Sequence, residues 1–499
     1  MFPKPEPFLR PNTRAYESVP MVKPTGFREY DARWRYGEEI NLMGVQALGM
    51  GIGTLVHEMG ISPEIVTGHD FRFYSASIKT ALATGMMAAG LKVHDIGLAL
   101  TPMAYFAQFA LDVPAVAMVT ASHNENGWTG VKMGAQRPLT FGPEEMGRLR
   151  EIVLAGRFAP RSGGAYVFVG DMAERYLADL AARPRLRRPI RVVAACGNGT
   201  AGAFAPQALA AAGVEVIPLD AELDHSFPRY NPNPEDMTML GAIREAVLGS
   251  GAAIGFGFDG DGDRCGVVDD EGVALFADKV GLLLARDISS RNPGSRFVVD
   301  VKSTGLFQDD PVLCANGATV EYWKTGHSYL KRRVMECGAT AGFEKSGHYF
   351  FGPPVGRGYD DALVSALAIL DLLDRHPDRS MADLRRSLPT TWGSPTMAVH
   401  CDDETKYGVV DRVVADLEAT LRQGGALAGQ PVRELATVNG ARVTNADGTW
   451  GLVRASSNKP EIVMVVESPV SEARMLEMFH ALDLVLRRNG EVGPFNQTP

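Results

Sequence analysis

The sequence predicts an α/β protein: repeated strand and helix units as far as about residue 385, then a smaller α+β module. Two patterns carry this reading. Short β-rich runs alternate with Ala/Leu-rich amphipathic stretches, and the composition changes after Pro389. A length of 499 residues allows roughly three or four domains.

Taken in order, MFPKPEPFLRPNTR alternates prolines with charges, and its lack of an apolar core of signal-peptide length reads as a flexible extension. EIVTGHD is a strand leading into the helical YSASIKTALATGMMAAG, and VPAVAMV is a buried strand. RSGGAYVF marks a break near residue 163. RVVAACGNGT with AFAPQALAAAG, then AAIGFGFDGDGD, repeat the rhythm, and GVVDDEGV supplies a turn and a second break near 273. FVVDVKSTGLF opens the next unit, which DDALVSALAILDLLDRHPDRSMADLRRSL closes as a helix stopping at Pro389. The remainder holds the strand TMAVHC, the amphipathic DRVVADLEATLRQ and the helix SEARMLEMFHALDLVLRR. The expected domains are therefore 1–163, 164–273, 274–388 and 389–499.

A formal charge of -9 with 45% hydrophobic residues is ordinary globular composition. It argues against duplex nucleic acid or an anionic membrane as main partner, because both are bound through dense Lys/Arg surfaces. An anionic ligand must then meet a local cluster of positive groups. No segment is apolar enough to cross a bilayer. Five cysteines without a C-x-x-C pair indicate neither a zinc site nor a disulfide framework, and a reducing cytoplasm is the expected setting.

The strongest chemical signal is GFDGDGDRCGVVD. Asp259, Asp261 and Asp263 alternate with glycines that let all three carboxylates turn to one centre, and a hard divalent cation relieves their repulsion. The loop is not an EF-hand, since Arg264 stands where that loop needs glycine and Asp270 where it needs glutamate. Three protein ligands leave octahedral positions for water or a phosphate oxygen, which suits magnesium.

In TASHNENGWTG, Ser122 sits where strand passes to loop, a position facing the ligand crevice of open α/β sheets. No G-x-S-x-G surrounds it, and adjacent Ser122 and His123 are expected to point different ways, so a serine hydrolase is a poor reading. Alone, a loop of this kind is more often a turn or helix cap than a ligand site, at roughly two to one. GFEKSGHYFF sets Glu344, Ser346 and His348 around Gly347, a mix suited to sugar hydroxyls or to a polar turn. RASSNKPEIVMVV offers Arg454, Ser456, Ser457, Asn458 and Lys459 as a phosphate cradle or a solvated loop. Lys302 in DVKSTG and His327 in KTGHS are weaker signals.

In this order, TGFREYDAR, TASHNENGWTGVKM, ACGNGTAG, GFDGDGDR, DVKSTG, KTGHS, GFEKSGH and RASSNKP resemble the α-D-phosphohexomutase family, most closely its phosphomannomutase/phosphoglucomutase branch. The resemblance covers nearly the whole chain. It implies three related α/β modules and a C-terminal domain of TATA-binding-protein-like topology around a central cleft. It makes Ser122 the phosphoryl carrier and a metal contact, Asp259, Asp261 and Asp263 the magnesium ligands (one Mg2+ per chain), and Arg264, Lys132 and His348 catalytic groups. Glu344, Lys345, Ser346, Gly347 and His348 match the sugar loop. Arg454, Ser456, Ser457 and Asn458 match the loop for the phosphate that is not transferred, and Tyr30, Arg33, Lys302 and His327 match further ligand contacts. Lys132, His327 and His348 all remain open as the general base.

The implied reaction interconverts hexose 6-phosphate and hexose 1-phosphate through a phosphoserine and a hexose 1,6-bisphosphate, which also serves as activator. Small hexose phosphates are the expected partners, with no nucleic acid, membrane or obligate protein partner. Phosphoglucosamine mutase is the runner-up, and a non-catalytic sugar-phosphate sensor on the same scaffold is the rival from another class. In two places the chain departs from the family pattern. Glu125 stands where Ser-His-Asn-Pro usually continues, and the phosphate loop reads Arg-Ala-Ser-Ser-Asn.

Overall fold

In the computed structural model, residues 2–183 and 186–499 are described; Met1, Pro184 and Arg185 lie outside them. Internal contacts group the chain into two compact units, residues 1–277 with 346–382, and residues 278–345 with 383–499.

The first unit contains two sheets. The larger runs in the order Asp31–Arg35, Trp128–Gly134, Ala115–Val119, Glu64–His69, Lys92–Leu98, Ala165–Phe168. Ala115–Val119, Glu64–His69, Lys92–Leu98 and Ala165–Phe168 are parallel, and Trp128–Gly134 runs antiparallel to both its neighbours, Ala115–Val119 and Asp31–Arg35. The sheet therefore continues past the Gly/Ser-rich stretch where a break was expected near 163. Central strands such as Ala115–Val119 are buried at every position, which explains why VPAVAMV is a continuous apolar run without alternation. Helices Leu42–Glu58 and Ser75–Ala88 pack tightly because they meet at glycines: a Cβ on Gly85 would lie 2.0 Å from the Gln46 carbonyl oxygen.

The second sheet runs Ala274–Leu275, Cys265–Asp269, Ile254–Phe258, Arg191–Ala195, Glu215–Leu219. Ile254–Phe258 lies parallel to Arg191–Ala195, then reverses through Asp259–Arg264 into antiparallel Cys265–Asp269. The aspartate loop is thus a hairpin turn at a strand end.

In the other unit, Arg296–Asp300 pairs in parallel with Thr319–Trp323 and Ala341–Phe343. The C-terminal region is an antiparallel sheet in the order Trp392–Gly393, Glu461–Ser468, Trp450–Ala455, Ala441–Asn445, Gln430–Ala436, Ala426–Leu427, with Met397–His400 also on Glu461–Ser468. Helices Lys406–Arg422 and Glu472–Asn489 share its core through Val413, Leu417, Met478 and Leu482. Within this unit, the Arg442 guanidinium lies between the rings of Tyr322 and Trp450, 4.4 and 3.6 Å from their centroids. Glu467 accepts hydrogen bonds from Lys279 (2.8 Å), Trp450 Nε1 (2.8 Å) and the Thr391 hydroxyl (2.6 Å).

Two further expectations are corrected. The N-terminal stretch is tied down rather than free: Glu6 N–H donates to the Pro20 carbonyl (2.9 Å), Val22 N–H to that of Glu6 (3.0 Å), and Phe2 meets the edge of Phe158. Prolines favour extended chain, and this extended chain found a neighbour to pair with. The helix expected from Asp360 to Leu388 is two helices, Ala362–Arg375 and Met381–Arg386, because Pro377 lacks an N–H donor and breaks the ladder well before Pro389.

Candidate active site

The serine loop leaves Ala115–Val119 at its C-terminal end. Ser122 takes the left-handed conformation, φ 51°, which costs a non-glycine residue about 1 kcal/mol or more. That departure from strand geometry brings His123 Nδ1 within 3.3 Å of Ser122 Oγ, against the expectation that the two side chains diverge. The shorter bond is elsewhere: the Ser122 hydroxyl donates to Asp259 Oδ2 at 2.9 Å. Gly260 permits this approach, since a Cβ there would lie 2.3 Å from the Ser122 carbonyl oxygen.

Asp259, Asp261 and Asp263 converge with ligand atoms within 4.8 Å of one another, all buried. Lys132, on the neighbouring strand Trp128–Gly134, donates to Asp261 at 2.7 Å and also to Asp263. Thr101 donates its hydroxyl to Asp261 (2.6 Å), and the Arg264 Nε donates to Asp259 (3.1 Å). Arg33 bonds Asp31 and the Ala121 carbonyl, both at 2.8 Å, and Tyr30 is buried just before the strand Asp31–Arg35. His348 Nδ1 lies 2.9 Å from Asp360 Oδ2 and 3.7 Å from Asp263. Gly347 is stitched to the same place, its carbonyl accepting from the Cys265 N–H at 3.0 Å.

Three packed carboxylates leave a clear electrostatic signature. Burial, with repulsion from Asp261 and Asp263, raises the Asp259 carboxyl to about 7. Burial would also raise Asp261, but Lys132 and the Thr101 hydroxyl outweigh it and hold that carboxyl below its usual range. Burial disfavours the Lys132 charge, yet Asp261 and Asp263 keep it firmly protonated.

The donor set fits a small hard cation. Asp261 Oδ1 and Asp263 Oδ1 are buried oxygens that accept no hydrogen bond, and Asp259 Oδ2 faces the serine. Oxygen-only ligands and excess negative charge are what a divalent ion of this kind requires. Arg264 Nη2 is likewise buried without a hydrogen-bond partner, a donor to spare for an anion.

The second unit assembles the remaining expected residues in two groups. Glu344 Oε2 accepts from the Gly326 N–H (3.2 Å), and Asp300 accepts from the Lys345 N–H (3.1 Å) and the Thr325 hydroxyl (2.8 Å), so the sugar loop, the DVKSTG turn bearing Lys302 and the loop before His327 share one junction. The chain passes from this unit to the first between Lys345 and Ser346, so GFEKSGH is divided between them. In the phosphate loop, Arg454 donates to Ser457 Oγ (3.2 Å), while Ser456 Oγ accepts from the Asn458 and Lys459 N–H groups (3.4 and 3.2 Å).

Sequence reasoning missed four residues. Asp70 and Arg72 surround the serine loop, Asp360 holds His348, and buried Lys406 donates to the Ser456 and Lys459 carbonyls (2.6 and 2.9 Å), pinning the phosphate loop. Only the first pair left a signal, the charged D-x-R that follows a buried strand in GHDFR.

Fold and site together define a modular α/β protein with a strained serine set against a carboxylate triad at the C-terminal ends of its strands. Sequence comparison matches residues 24–160, 174–272 and 276–392 to alpha/beta/alpha domains I, II and III of phosphoglucomutase/phosphomannomutase. The chain belongs to the phosphoglucomutase/phosphomannomutase family. A Pseudomonas putida relative named phosphomannomutase/phosphoglucomutase is 33% identical over 451 residues, covering 90% of this chain and 93% of its own. A phosphoglucomutase of Neisseria gonorrhoeae is 31% identical, covering 90% and 94%. A crystal structure of a family protein from Burkholderia thailandensis superposes with a TM-score of 0.83 at 29% identity, covering 95% of this chain and all of that one.

Proposed function

We propose that this chain interconverts hexose 6-phosphates and hexose 1-phosphates, with mannose and glucose phosphates as preferred substrates, using Ser122 as a phosphoryl carrier. One observation above all supports the reading: the Ser122 hydroxyl lies 2.9 Å from Asp259 within a buried group of three carboxylates and two cations. In the forward direction the bond between phosphorus and Ser122 Oγ breaks as one forms to the free sugar hydroxyl, whose proton leaves to a base. The resulting 1,6-bisphosphate then returns its other phosphoryl group to Ser122.

Phosphoryl transfer depends on positioning and charge stabilisation. Arg264, with its spare buried N–H, and Lys132 offset charge on the transferring group. Asp259, Asp261 and Asp263, with Ser122, would hold one Mg2+, which supplies further charge neutralisation when bound. Of the three groups left open as the base, Lys132 is held as a cation, which leaves His327 and His348; His348 Nδ1 lies 2.9 Å from Asp360 Oδ2. Glu344, Lys345, Ser346, Gly347, Lys302, His327, Tyr30 and Arg33 would contact the sugar phosphate. Arg454, Ser456, Ser457 and Asn458 would grip the phosphate not being transferred, and hexose 1,6-bisphosphate would prime the enzyme.

We read the protein as cytoplasmic, which its five free cysteines support; among the described residues no helix is long and apolar enough to cross a membrane. The four-part division at 163, 273 and 388 is kept, with its first limit moved to follow Phe168. Turnover is tested with mannose, glucose and glucosamine 1-phosphates in parallel, together with mass spectrometry of Ser122. A protein inactive on all three, with no phosphate on Ser122, would be the sensor rather than the enzyme. Strong preference for glucosamine would select the third substrate class.

A further inference from the structure

We propose that Asp70 and Arg72 are positioning residues that hold the phosphoryl-carrying serine in its reactive conformation, an inference that rests on the role given to Ser122. A non-glycine residue at φ 51° stays there only if its surroundings over-determine it. Within Ala121–Asn126 the loop supplies little such constraint: Glu125 and Asn126 are exposed, and Ala121–Asn124 make one internal backbone bond, Asn124 N–H to the Ala121 carbonyl at 3.0 Å.

The constraint comes from the segment GHDFRFYS. Arg72, 2% exposed, donates from one nitrogen to both the Ser122 and Asn124 carbonyls, at 3.0 and 2.6 Å. Its other terminal nitrogen pairs with Asp70, and its guanidinium lies 5.4 Å from the centre of the Phe227 ring. Asp70 in turn accepts from the Thr120 hydroxyl (3.1 Å) and the Ala121 N–H (3.2 Å), and Thr120 Oγ1 accepts from the Ser122 N–H (2.9 Å). Tyr74 holds the far end, accepting from the Gly127 N–H (2.9 Å) and donating to the Trp128 carbonyl (2.7 Å). The backbone on both sides of Ser122 is therefore tied to one buried ion pair, which leaves the hydroxyl aimed at Asp259. Arg72 does not bond Ser122 Oγ; it acts through the loop. A planar fork can reach two carbonyls and a carboxylate at once, and an ammonium cannot reproduce that geometry.

The test uses the full chain with Arg72→Lys, and with Thr120→Val as a milder change should the first fail to fold. Misplacing a reacting atom by an ångström costs about a hundredfold. We expect Arg72→Lys to lower kcat on glucose 1-phosphate by ~10–100-fold with KM changed by less than about threefold. Thr120→Val should move kcat the same way by a smaller factor. Hydrogen exchange supplies the readout independent of turnover. Amides of 121–124 should exchange faster in both variants, while the strand Ala115–Val119 keeps its protection. Unchanged loop exchange, or kcat within twofold of the parent, overturns the proposal; so does a uniform loss of protection, which marks the pair as merely stabilising. Should the parent itself turn over no hexose phosphate, the mutase reading fails, and the exchange comparison alone still decides whether the pair holds the loop.

Discussion

At the residue scale, Ser122 concentrates most of what can be tested. Ser122→Ala removes the hydroxyl that donates to Asp259, so turnover should fall to background and the phosphate detected at that position should vanish; retained turnover would refute the carrier role. Lys132→Met removes a cation that bonds two of three crowded carboxylates. Removing one preorganised charge of this kind typically costs ~10²–10³ in kcat, and a Lys132→Met variant within tenfold of the parent in a steady-state assay would contradict the charge-stabilising role. Turnover should also disappear with EDTA and return with Mg2+, since Asp261 Oδ1 and Asp263 Oδ1 have no hydrogen-bond partner to stabilise them otherwise. Of these residues the aspartates were legible in the sequence, because their i, i+2, i+4 spacing with glycines has few other uses. Asp70 and Arg72 left only the D-x-R signal, because Arg72 acts on a loop 50 residues away, and Asp360 left none.

At the element scale, the packing of Leu42–Glu58 on Ser75–Ala88 makes a signed prediction. Alanine at Gly85 would gain about 1 kcal/mol of helix propensity. Its Cβ, however, would meet backbone on the facing helix, 2.0 Å from the Gln46 carbonyl oxygen and 2.8 Å from the Met50 nitrogen, and such overpacking costs about 1–3 kcal/mol, occasionally more. Backbone cannot swing away as a long side chain can, so Gly85→Ala should lower Tm, and an unchanged or higher Tm would show that the helices slide apart freely. Most elements were legible, because buried parallel strands and amphipathic helices print their burial in the sequence. Two failures have a physical cause. The run after Asp361 keeps helical periodicity across Pro377, although proline ends the first helix before the second begins. Ala165–Phe168 follows the glycines of RSGGAYVF and has exposed faces, with Phe168 62% exposed, so only its pairing with Lys92–Leu98 identifies it as part of the first sheet.

At the scale of the whole molecule, the two units should respond differently to acid. In the unit containing 383–499, burial alone would raise Glu467, but Lys279 and its hydroxyl partners hold the carboxyl at about 2, below its ordinary 4.5. A folded pKa below the unfolded one stabilises above the unfolded value, so this contribution, about 3 kcal/mol, is complete above pH 4.5 and is lost as pH falls towards 2. In the other unit, burial raises Asp361 from 3.8 to about 6, so its charge opposes folding at neutral pH and that penalty fades between pH 6 and 3.8. Hydrogen exchange read across the chain should therefore show the strands around Glu467, Trp450–Ala455 and Glu461–Ser468, losing protection as pH falls from about 4.5 to about 2.5; unchanged protection there would contradict the assignment. By itself the sequence determined the α/β class, the C-terminal α+β module, the family resemblance and the metal-competent triad, since each depends on spacing and composition that one stretch of chain carries. Tertiary structure alone decided how Ser122 is held and that Lys132 neutralises the triad, because those contacts join segments 50 and 129 residues apart, and no local pattern records a partner at that distance.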